Sequence, residues 1–314
     1  MKHLFLINPA AGKRDSTFDC SEEIHTLCKE RGLDYRIRVS KKPGDLTAYA
    51  REAAETGEEV RLYACGGDGT LNEVINGAAG HPNAAVTHWP KGSGNDFVKI
   101  FSEPERFRDL SALVDGEEAR MDLIHCGGSY SVNICSMGLD ARIGTQMAYY
   151  KRLPLVTGSG AYVLSTLANL VKGIHAPCTV EINGETITGR KTMICVCSGR
   201  YYGGGFNPVP EAEPDDGLLD VLLVEPVSLP EVAKLIGIYK AGRYREIPKW
   251  IRHCTATELT VHCGKPSVIN LDGETRFGKD VTFRVEPQAL RFFYPKGLTY
   301  HAAQAAQAAS EVPV

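Results

Sequence analysis

Short apolar runs alternate with longer helical patterns over the first 122 residues of the chain. Apolar runs of strand length occur at residues 3–7, 35–39, 60–64 and 85–89, and patterns of helical spacing occur at residues 22–29, 45–56, 71–79 and 106–115. Strands that alternate with helices are typical of a parallel sheet with crossover helices. Residues 1–122 are therefore predicted to form an α/β domain.

Beyond Met121 the pattern changes to strand-length runs separated by glycine and Asn-Gly. Such runs lie at residues 129–134, 179–182, 193–197, 219–224, 259–262 and 281–285, and helical patterns lie at residues 160–172 and 229–241. This pattern of short strand-like runs separated by turns predicts a mainly antiparallel β domain over residues 123–288. Residues 289–300, which begin with a last strand-like run, complete one of the two domains. The Ala- and Gln-rich residues 301–314 are predicted to form a frayed tail.

The helical pattern at residues 160–172 carries an apolar stripe. Val163, Leu164, Leu167, Leu170 and Val171 fall at helical spacing. A stripe of this kind either packs as an ordinary core face or lines an acyl-chain groove at a bilayer surface. We favour the core face, because most packed helices present one.

Composition indicates which kinds of binding partner and which cellular compartment are to be expected. The chain has 35 basic and 38 acidic residues, a formal net charge of −3, so no basic excess indicates nucleic acid as the main partner. None of the ten cysteines forms a C-x-x-C pair and no secretory signal is present, which predicts a reduced, cytoplasmic protein without a zinc cluster. No run of about 18 apolar residues is present either, so no transmembrane segment is predicted.

The most informative stretch is GGDGTLNE at residues 66–73, which follows a predicted strand and opens a predicted helix. Its glycines allow a phosphate to approach backbone N–H groups at a helix N-terminus. Thr70 and Glu73 have the spacing of a capping box. Asp68 would repel a polyphosphate unless a divalent cation or a proton lies between them, and we infer bridging by Mg2+. For the glycines alone, a tight turn with an N-cap Asp is the alternative.

Two further loops follow strands of the same predicted sheet, NPAAGK at residues 8–13 and PKGSGNDF at residues 90–97. Ligands of open α/β sheets bind beyond the carboxyl ends of the strands, so the three loops are expected to converge on one crevice. Asn8 is suited to fix its turn, and Lys13 offers a positive charge to a phosphate. Neither G-x-x-x-x-G-K-[ST] nor a G-x-G-x-x-G after a strand is present, which excludes P-loop and dinucleotide-fold assignments.

The predicted second domain contains three polar loops, two of which have two interpretations. In PEAEPDDGLLD at residues 210–220 the carboxylates are either screened by water or collected by a hard cation. The Asp272-Gly273 pair lies between strand-like runs and is a hairpin-turn signal. The RYYGGGF loop at residues 200–206 is either an exposed loop or a flap over a nucleotide or lipid headgroup.

At these loops the sequence resembles the diacylglycerol kinase catalytic-domain family, which includes soluble bacterial lipid kinases and the sphingosine and ceramide kinases. The resemblance implies a Rossmann-like N-terminal lobe of the NAD kinase and phosphofructokinase type, a C-terminal β-sandwich lobe, and ATP bound between them. Carried over by position, the nucleotide-binding residues are Asn8, Pro9, Ala10, Ala11, Gly12, Lys13, Ser40, Gly66, Gly67, Asp68, Gly69, Thr70, Leu71, Asn72 and Ser93.

The resemblance also assigns roles to carboxylates. Asp272 and Glu274 become catalytic together with Asp68, where Glu274 is the first choice as base and Asp272 organises Mg2+ with Asp68. Without the resemblance, Asp272 would belong to a turn. A structural Mg2+ is implied at Asp216, Glu213 and the carbonyl of Leu218, with an ambiguous register at Glu213.

The predicted function is ATP- and Mg2+-dependent phosphorylation of a lipid hydroxyl, with diacylglycerol as the leading acceptor and phosphatidic acid as product. An NAD kinase is the nearest enzymatic alternative, because it also needs Asp68 and the glycine loop. A nucleotide-binding regulator without catalysis is an alternative from another class. A lipid substrate implies transient peripheral contact with a membrane surface, and a homodimer is compatible with the sequence.

Overall fold

The computed structural model of the protein describes residues 1–12, 14–138 and 176–302. Lys13, the predicted helix at residues 160–172 and residues 303–314 of the predicted tail lie outside the described residues. The helices are α1 (Thr17–Arg31), α2 (Asp45–Ala54), α3 (Asp68–Ala78), α4 (Leu110–Val114) and α5 (Leu229–Lys240). The strands are β1 (Lys2–Ile7), β2 (Tyr35–Val39), β3 (Val60–Gly66), β4 (Ala84–Pro90), β5 (Glu117–Cys126), β6 (Ser129–Ser131), β7 (Ile134–Gly138), β8 (Ala176–Ile182), β9 (Glu185–Lys191), β10 (Met193–Cys197), β11 (Leu219–Val224), β12 (Ile251–Ala256), β13 (Glu258–Leu271) and β14 (Glu274–Tyr294).

The N-terminal lobe is built on four parallel strands in the order β4-β3-β1-β2. Helices α1, α2 and α3 follow β1, β2 and β3 along the chain. Their apolar side chains Ile24, Leu46 and Val74 are fully buried in the same core as the strands. Burial of apolar helix faces against the sheet is what the sequence pattern of this region predicts.

The C-terminal lobe is antiparallel, with strands in the order β12-β11-β10-β7-β13-β14 and the pair β8-β9 attached to β13. A separate core of buried residues, including Val180, Val196 and Phe283, fills the space between its strands. The predicted fold class, a parallel α/β lobe followed by a mainly antiparallel β lobe, is confirmed. No helix in the described part of the chain is long and apolar enough to cross a membrane.

Strand β14 joins the two lobes. It begins at Glu274 beside β13 and continues antiparallel to β5, and near its end Arg291 and Phe292 pair in parallel with Ala85 and Val86 of β4. The strand-like run that begins at residue 289 therefore extends the N-terminal sheet. The predicted boundary at residue 122 falls inside β5, and the domain limits stay a prediction.

Two predicted elements are wrong. Residues 129–134 do not form one strand but are divided into β6 and β7, because the N–H groups of Val132, Asn133 and Ile134 donate to the carboxylate of Asp272. Residues 106–115 do not form one helix either. A 3-10 turn ends at Arg108, and α4 starts afresh because the Asp109 side chain caps its first turn.

Candidate active site

Helix α3 starts at Asp68, with Gly67 as its N-cap residue in an extended conformation. No side chain caps this N-terminus. The Gly67 carbonyl accepts from the N–H groups of Thr70 at 2.9 Å and Leu71 at 3.1 Å. The N–H groups of Asp68 and Gly69 are left to a ligand, and the helix dipole adds partial positive charge there. This arrangement suits a phosphate group.

The capping box predicted for Thr70 and Glu73 is wrong. The Thr70 hydroxyl oxygen accepts a hydrogen bond from the Asn8 side chain at 3.0 Å, which ties the first loop to α3. The Glu73 carboxylate accepts from the N–H groups of Gly44 at 3.1 Å and Leu46 at 3.2 Å, at the start of α2. Both side chains connect neighbouring elements, so the N-terminus of α3 stays open.

The three predicted loops converge at the carboxyl ends of β1, β3 and β4. The Gly66 carbonyl accepts from the Lys91 N–H at 2.8 Å, which joins the second and third loops. A Cβ on Gly92 would lie 2.5 Å from the Cα of Gly67, and a Cβ on Gly12 would lie 2.6 Å from the Lys91 carbonyl oxygen. The glycines are therefore required by the close approach of the three backbones.

Replacement of Gly92 by alanine is expected to raise the KM for ATP by about tenfold or more, because the new methyl group forces the second and third loops apart. Gly237→Ala is the matched control, since a Cβ there meets nothing within 4 Å. Steady-state kinetics with varied ATP checks this. Equal KM values in the two variants would contradict the role assigned to the contact of the loops.

Asp68 lies at the centre of a small polar network. One carboxylate oxygen accepts from the Asp96 N–H at 2.5 Å, and a Cβ on Gly94 would lie 2.7 Å from the other oxygen. The buried Asp96 carboxylate pairs with Lys99 and accepts from the Gly204 N–H at 2.7 Å. Asp96 thus connects the glycine-rich loop of the second lobe to the loop that holds Asp68.

Asp272 is bound by backbone donors. One carboxylate oxygen accepts from Val132 N–H at 2.8 Å, and the other from Asn133 N–H at 3.1 Å and Ile134 N–H at 2.9 Å. The Asn72 side chain adds a bond at 3.4 Å across the lobes. Burial raises the pKa of the Asp272 carboxyl, and these donors act in the opposite direction. The carboxylate therefore holds the turn at residues 132–134, and its predicted roles in catalysis and in organising Mg2+ with Asp68 stay predictions.

Glu274 follows the two-residue turn of the β13–β14 hairpin, where Asp272 and Gly273 both have positive φ. The predicted hairpin turn is thus present. Glu274 lines the cleft, and a Cβ on Gly69 would lie 3.4 Å from its Oε1 atom. The hairpin turn therefore brings this carboxylate, from the second lobe, against the N-terminus of α3.

A cavity of about 1060 Å³ lies between the lobes. One end is formed by the three glycine-containing loops together with Asp68 and Glu274. The other end is mainly apolar and lies between α5 and the sheet of β10, β11 and β12, with Thr192, Tyr239 and Lys240 as polar members of its lining. The apolar lining residues at that end are Met193, Phe206, Val224, Val227, Val232, Leu235, Ile236, Ile247, Trp250 and Ile251.

Most of the predicted nucleotide-binding residues line this cavity, namely Asn8, Ala10, Ala11, Gly12, Gly67, Asp68, Gly69, Thr70, Leu71 and Ser93. Within the described residues, Pro9, Ser40, Gly66 and Asn72 are not part of its lining. Ser40 instead donates its N–H to the Ile7 carbonyl at 2.9 Å, beside β1. Asn72 donates to the Tyr130 carbonyl at 3.0 Å, so it connects the lobes.

In the acidic loop at residues 210–220, the carboxylate groups that lie close together are not the same as the predicted ligands of the structural Mg2+. Glu213 accepts from the Ala302 N–H at 2.7 Å and lies 3.8 Å from Arg200. The side chains of Glu213, Asp215 and His301 place ligand atoms within 4.8 Å of one another. Burial raises the pKa of the Asp216 carboxyl, whose Oδ1 accepts from the Leu218 N–H at 2.9 Å. Binding of a structural Mg2+ by Asp216, Glu213 and Leu218 stays a prediction.

Three features of the site were missed by sequence reasoning. Asp96 belongs to the predicted third loop, and its position after Gly94-Asn95 was the available signal for a role beside Asp68. Arg200 is buried and donates to the carbonyls of Ile100 and Ala212, so it fixes the base of the RYYGGGF loop. The apolar end of the cavity had no local signal, because its residues come from separate strands, from α5 and from the loops between them.

Comparisons with known proteins agree with this geometry. The model of the diacylglycerol kinase catalytic domain matches residues 2–126, and that of the YegS C-terminal NAD kinase beta sandwich-like domain matches residues 133–294.

Two curated relatives and one solved structure illustrate the similarity. A "Probable lipid kinase YegS-like" protein of Xanthomonas oryzae pv. oryzae is 30% identical over 90% of this chain and 94% of its own length. A "Diacylglycerol kinase" of Staphylococcus saprophyticus is 26% identical over 86% of this chain and 87% of its own. The crystal structure of a diacylglycerol kinase from Bacillus anthracis shares the fold, with a TM-score of 0.65 at 19% identity over 94% of this chain and 97% of that one. The chain belongs to the diacylglycerol kinase catalytic-domain family of lipid kinases.

Proposed function

We propose that the protein transfers the γ-phosphate of ATP to the hydroxyl of a lipid, with diacylglycerol as acceptor and phosphatidic acid as product. The observation that carries the proposal is the continuity of the cavity. It runs from the open N-terminus of α3, past Asp68 and Glu274, to an apolar end beside α5. A phosphate donor suits the first end, and an acyl chain suits the second.

Different residues of the site have different roles in phosphoryl transfer. The N–H groups at the start of α3 bind and orient the phosphates. Glu274 accepts the proton of the acceptor hydroxyl as its oxygen bonds to the γ-phosphorus and the bond to the ADP oxygen breaks. Asp272 keeps the turn at residues 132–134, and thereby the hairpin that carries Glu274, in place.

Mg2+ fits the chemistry of this site. The Asp68 carboxylate has one oxygen on the Asp96 N–H, which leaves the other as a hard oxygen ligand beside the phosphate loops. When bound there, Mg2+ would neutralise charge on the phosphates during transfer. Asp68 is therefore the residue that we assign to hold it.

The apolar end of the cavity supports a lipid acceptor over NAD. Its lining residues are contributed by α5, three strands and the loops between them, and side chains such as Leu235 and Trp250 are only partly buried by protein. An acyl chain would bury the apolar surface that makes up most of this region, whereas the many polar groups of an adenine nucleotide acceptor would lie against that surface largely without hydrogen-bonding partners. We also propose that the protein is cytoplasmic and binds transiently to the membrane surface to reach its acceptor.

Filling the apolar end is expected to discriminate between long and short acceptors. Val232→Trp should lower kcat/KM for long-chain diacylglycerol by about tenfold or more and leave the KM for ATP unchanged, because the indole occupies acyl-chain space. Ala233→Trp on the exposed side of the same helix is the control, since Ala233 does not line the cavity. A chain-length series assayed with both variants checks this. Equal losses for all chain lengths would contradict the assignment.

A further inference from the structure

His88 is a polar side chain inside the core of the N-terminal lobe, directly behind the phosphate loops. It lies on β4 and is fully buried. Its Nε2 atom lies 2.9 Å from the carbonyl oxygen of Gly66, at the end of β3. Because a carbonyl oxygen can only accept, Nε2 carries the hydrogen of this bond. Burial lowers the pKa of the His88 imidazole, so the ring is neutral at neutral pH and its Nδ1 atom is bare.

This histidine costs free energy that an apolar residue would not. The Nδ1 atom of His88 is buried and has no hydrogen-bond partner among the described residues. A buried polar nitrogen without a partner destabilises a protein, whereas an aliphatic side chain could fill the same space without that penalty. Packing alone therefore does not explain an imidazole here, and its bond to the Gly66 carbonyl is the interaction that requires a histidine.

The Gly66 carbonyl has two further donors, both from the third loop. It accepts from the Lys91 N–H at 2.8 Å and from the Gly92 N–H at 3.2 Å. These two donors belong to a loop, whereas His88 belongs to β4, which lies between β3 and β14 in the sheet. Of the three donors, His88 is therefore the one whose position is fixed by strands on both sides.

The orientation of the Gly66–Gly67 peptide determines where the Gly67 N–H points. The C=O and N–H bonds of a trans peptide point in opposite directions, so this N–H points away from His88. Gly67 lines the cavity, whereas neither Gly66 nor His88 does. Within the described residues, the Gly67 N–H has no protein acceptor. It is therefore available to a ligand in the cavity, beside the N–H groups of Asp68 and Gly69.

This peptide needs an external restraint to keep its orientation. Both residues that flank it, Gly66 and Gly67, are glycines, so no Cβ atom limits its rotation. If the bond from His88 is lost, rotation of the peptide moves the Gly67 N–H away from the cavity. A buried donor on a strand opposes that rotation.

We propose that His88 is a positioning residue for a polyphosphate ligand, because its bond to the Gly66 carbonyl aims the Gly67 N–H into the cavity. There the Gly67 N–H binds a phosphate oxygen together with the N–H groups at the start of α3. The proposal rests on the proposed binding of a phosphate donor at this end of the cavity. It does not depend on the identity of the acceptor.

Three substitutions of His88 separate the hydrogen bond from the volume of the side chain. The amide nitrogen of Gln reaches as far as Nε2 of His, that of Asn reaches only as far as Nδ1, and Leu has no donor. His88→Leu and His88→Asn are expected to weaken binding of ATP with Mg2+ by about tenfold, and His88→Gln should stay within about twofold of the unchanged protein. Calorimetric titration of the full chain measures these affinities.

Titration with inorganic tripolyphosphate locates the effect. Because the Gly67 N–H is assigned to the phosphates, the loss in His88→Leu should be the same factor for tripolyphosphate as for ATP. Thr87→Val is the matched control, since Thr87 is the neighbouring buried residue of β4 and its hydroxyl has no partner among the described residues. The control should bind both ligands as the unchanged protein does. Thermal unfolding checks that each variant is folded at the temperature of the titration.

A folded His88→Leu variant with unchanged affinity for ATP would overturn the proposal. So would a loss in His88→Gln as large as that in His88→Leu, or a loss for ATP without one for tripolyphosphate. If His88→Leu does not fold, the comparison of His88→Gln with His88→Asn decides, and equal affinities of these two variants would overturn the proposal.

The binding measurements keep this proposal distinct from the proposed function. They need no acceptor, so absence of phosphate transfer to lipids would reject the lipid-kinase function while the affinities of the His88 variants still decide the positioning role. If the unchanged protein bound neither ATP nor tripolyphosphate, the phosphate site and the role of His88 would both be overturned.

Discussion

Asp68→Asn is expected to lower phosphate transfer by about 1,000-fold or more, without unfolding the protein. Asparagine keeps the oxygen that accepts from the Asp96 N–H, so the loop geometry is retained. It loses the negative charge that we assign to Mg2+ binding next to the phosphates. The variant therefore separates the charge of this side chain from its structural hydrogen bond.

Transfer of labelled phosphate, together with thermal unfolding, measures both consequences. Asp19→Asn serves as the control, because Asp19 is an exposed aspartate on α1 whose carboxylate pairs with Arg14. The control should retain full activity. Unimpaired turnover in Asp68→Asn would remove this carboxylate from the mechanism.

Glu274→Gln and Asp272→Asn are expected to fail in different ways. Glu274→Gln should lower kcat by about 100- to 10,000-fold with little change in thermal stability, because it removes the proposed base from a side chain that faces the cavity. Asp272→Asn should lower the free energy of unfolding by about 3 kcal/mol, because an amide group replaces an oxygen that accepts from backbone N–H groups.

Thermal unfolding and kcat measured on the same two variants check this division. A stable Asp272→Asn with lost kcat would show that Asp272 acts in the chemistry itself. A Glu274→Gln variant with normal kcat would reject Glu274 as the base. Stability and kcat must be measured on the same variant, because a destabilised loop at residues 132–134 also displaces the hairpin that carries Glu274 and would lower kcat indirectly.

The parts of the site that could be predicted from the sequence are those whose function depends on the conformation of the local backbone. The GGDG loop could be predicted because a strand, three glycines and a helix are contiguous in residues 60–78. The turn at Asp272-Gly273 is also a local property, since two positive φ angles are needed there. Both predictions needed no knowledge of distant partners.

Other parts of the site depend on contacts between distant residues. Asp272 binds Val132, 140 residues earlier, and Asn72, 200 residues earlier. A local pattern at residues 129–134 therefore predicts one strand, although the distant carboxylate divides it. Glu73 likewise has the spacing of a cap within α3 but binds the start of α2. Tertiary partners took precedence over local spacing in each case.

Phosphate transfer from γ-labelled ATP with Mg2+ tests the central claim most directly. The acceptors are a panel of lipids in mixed micelles and, in a separate lipid-free reaction, NAD. We expect label in an organic-extractable product, with diacylglycerol as the preferred acceptor. Label in NADP would make the protein an NAD kinase, and ATP binding without transfer to any acceptor would make it a nucleotide-binding regulator. Either result would contradict the assignment of a lipid kinase.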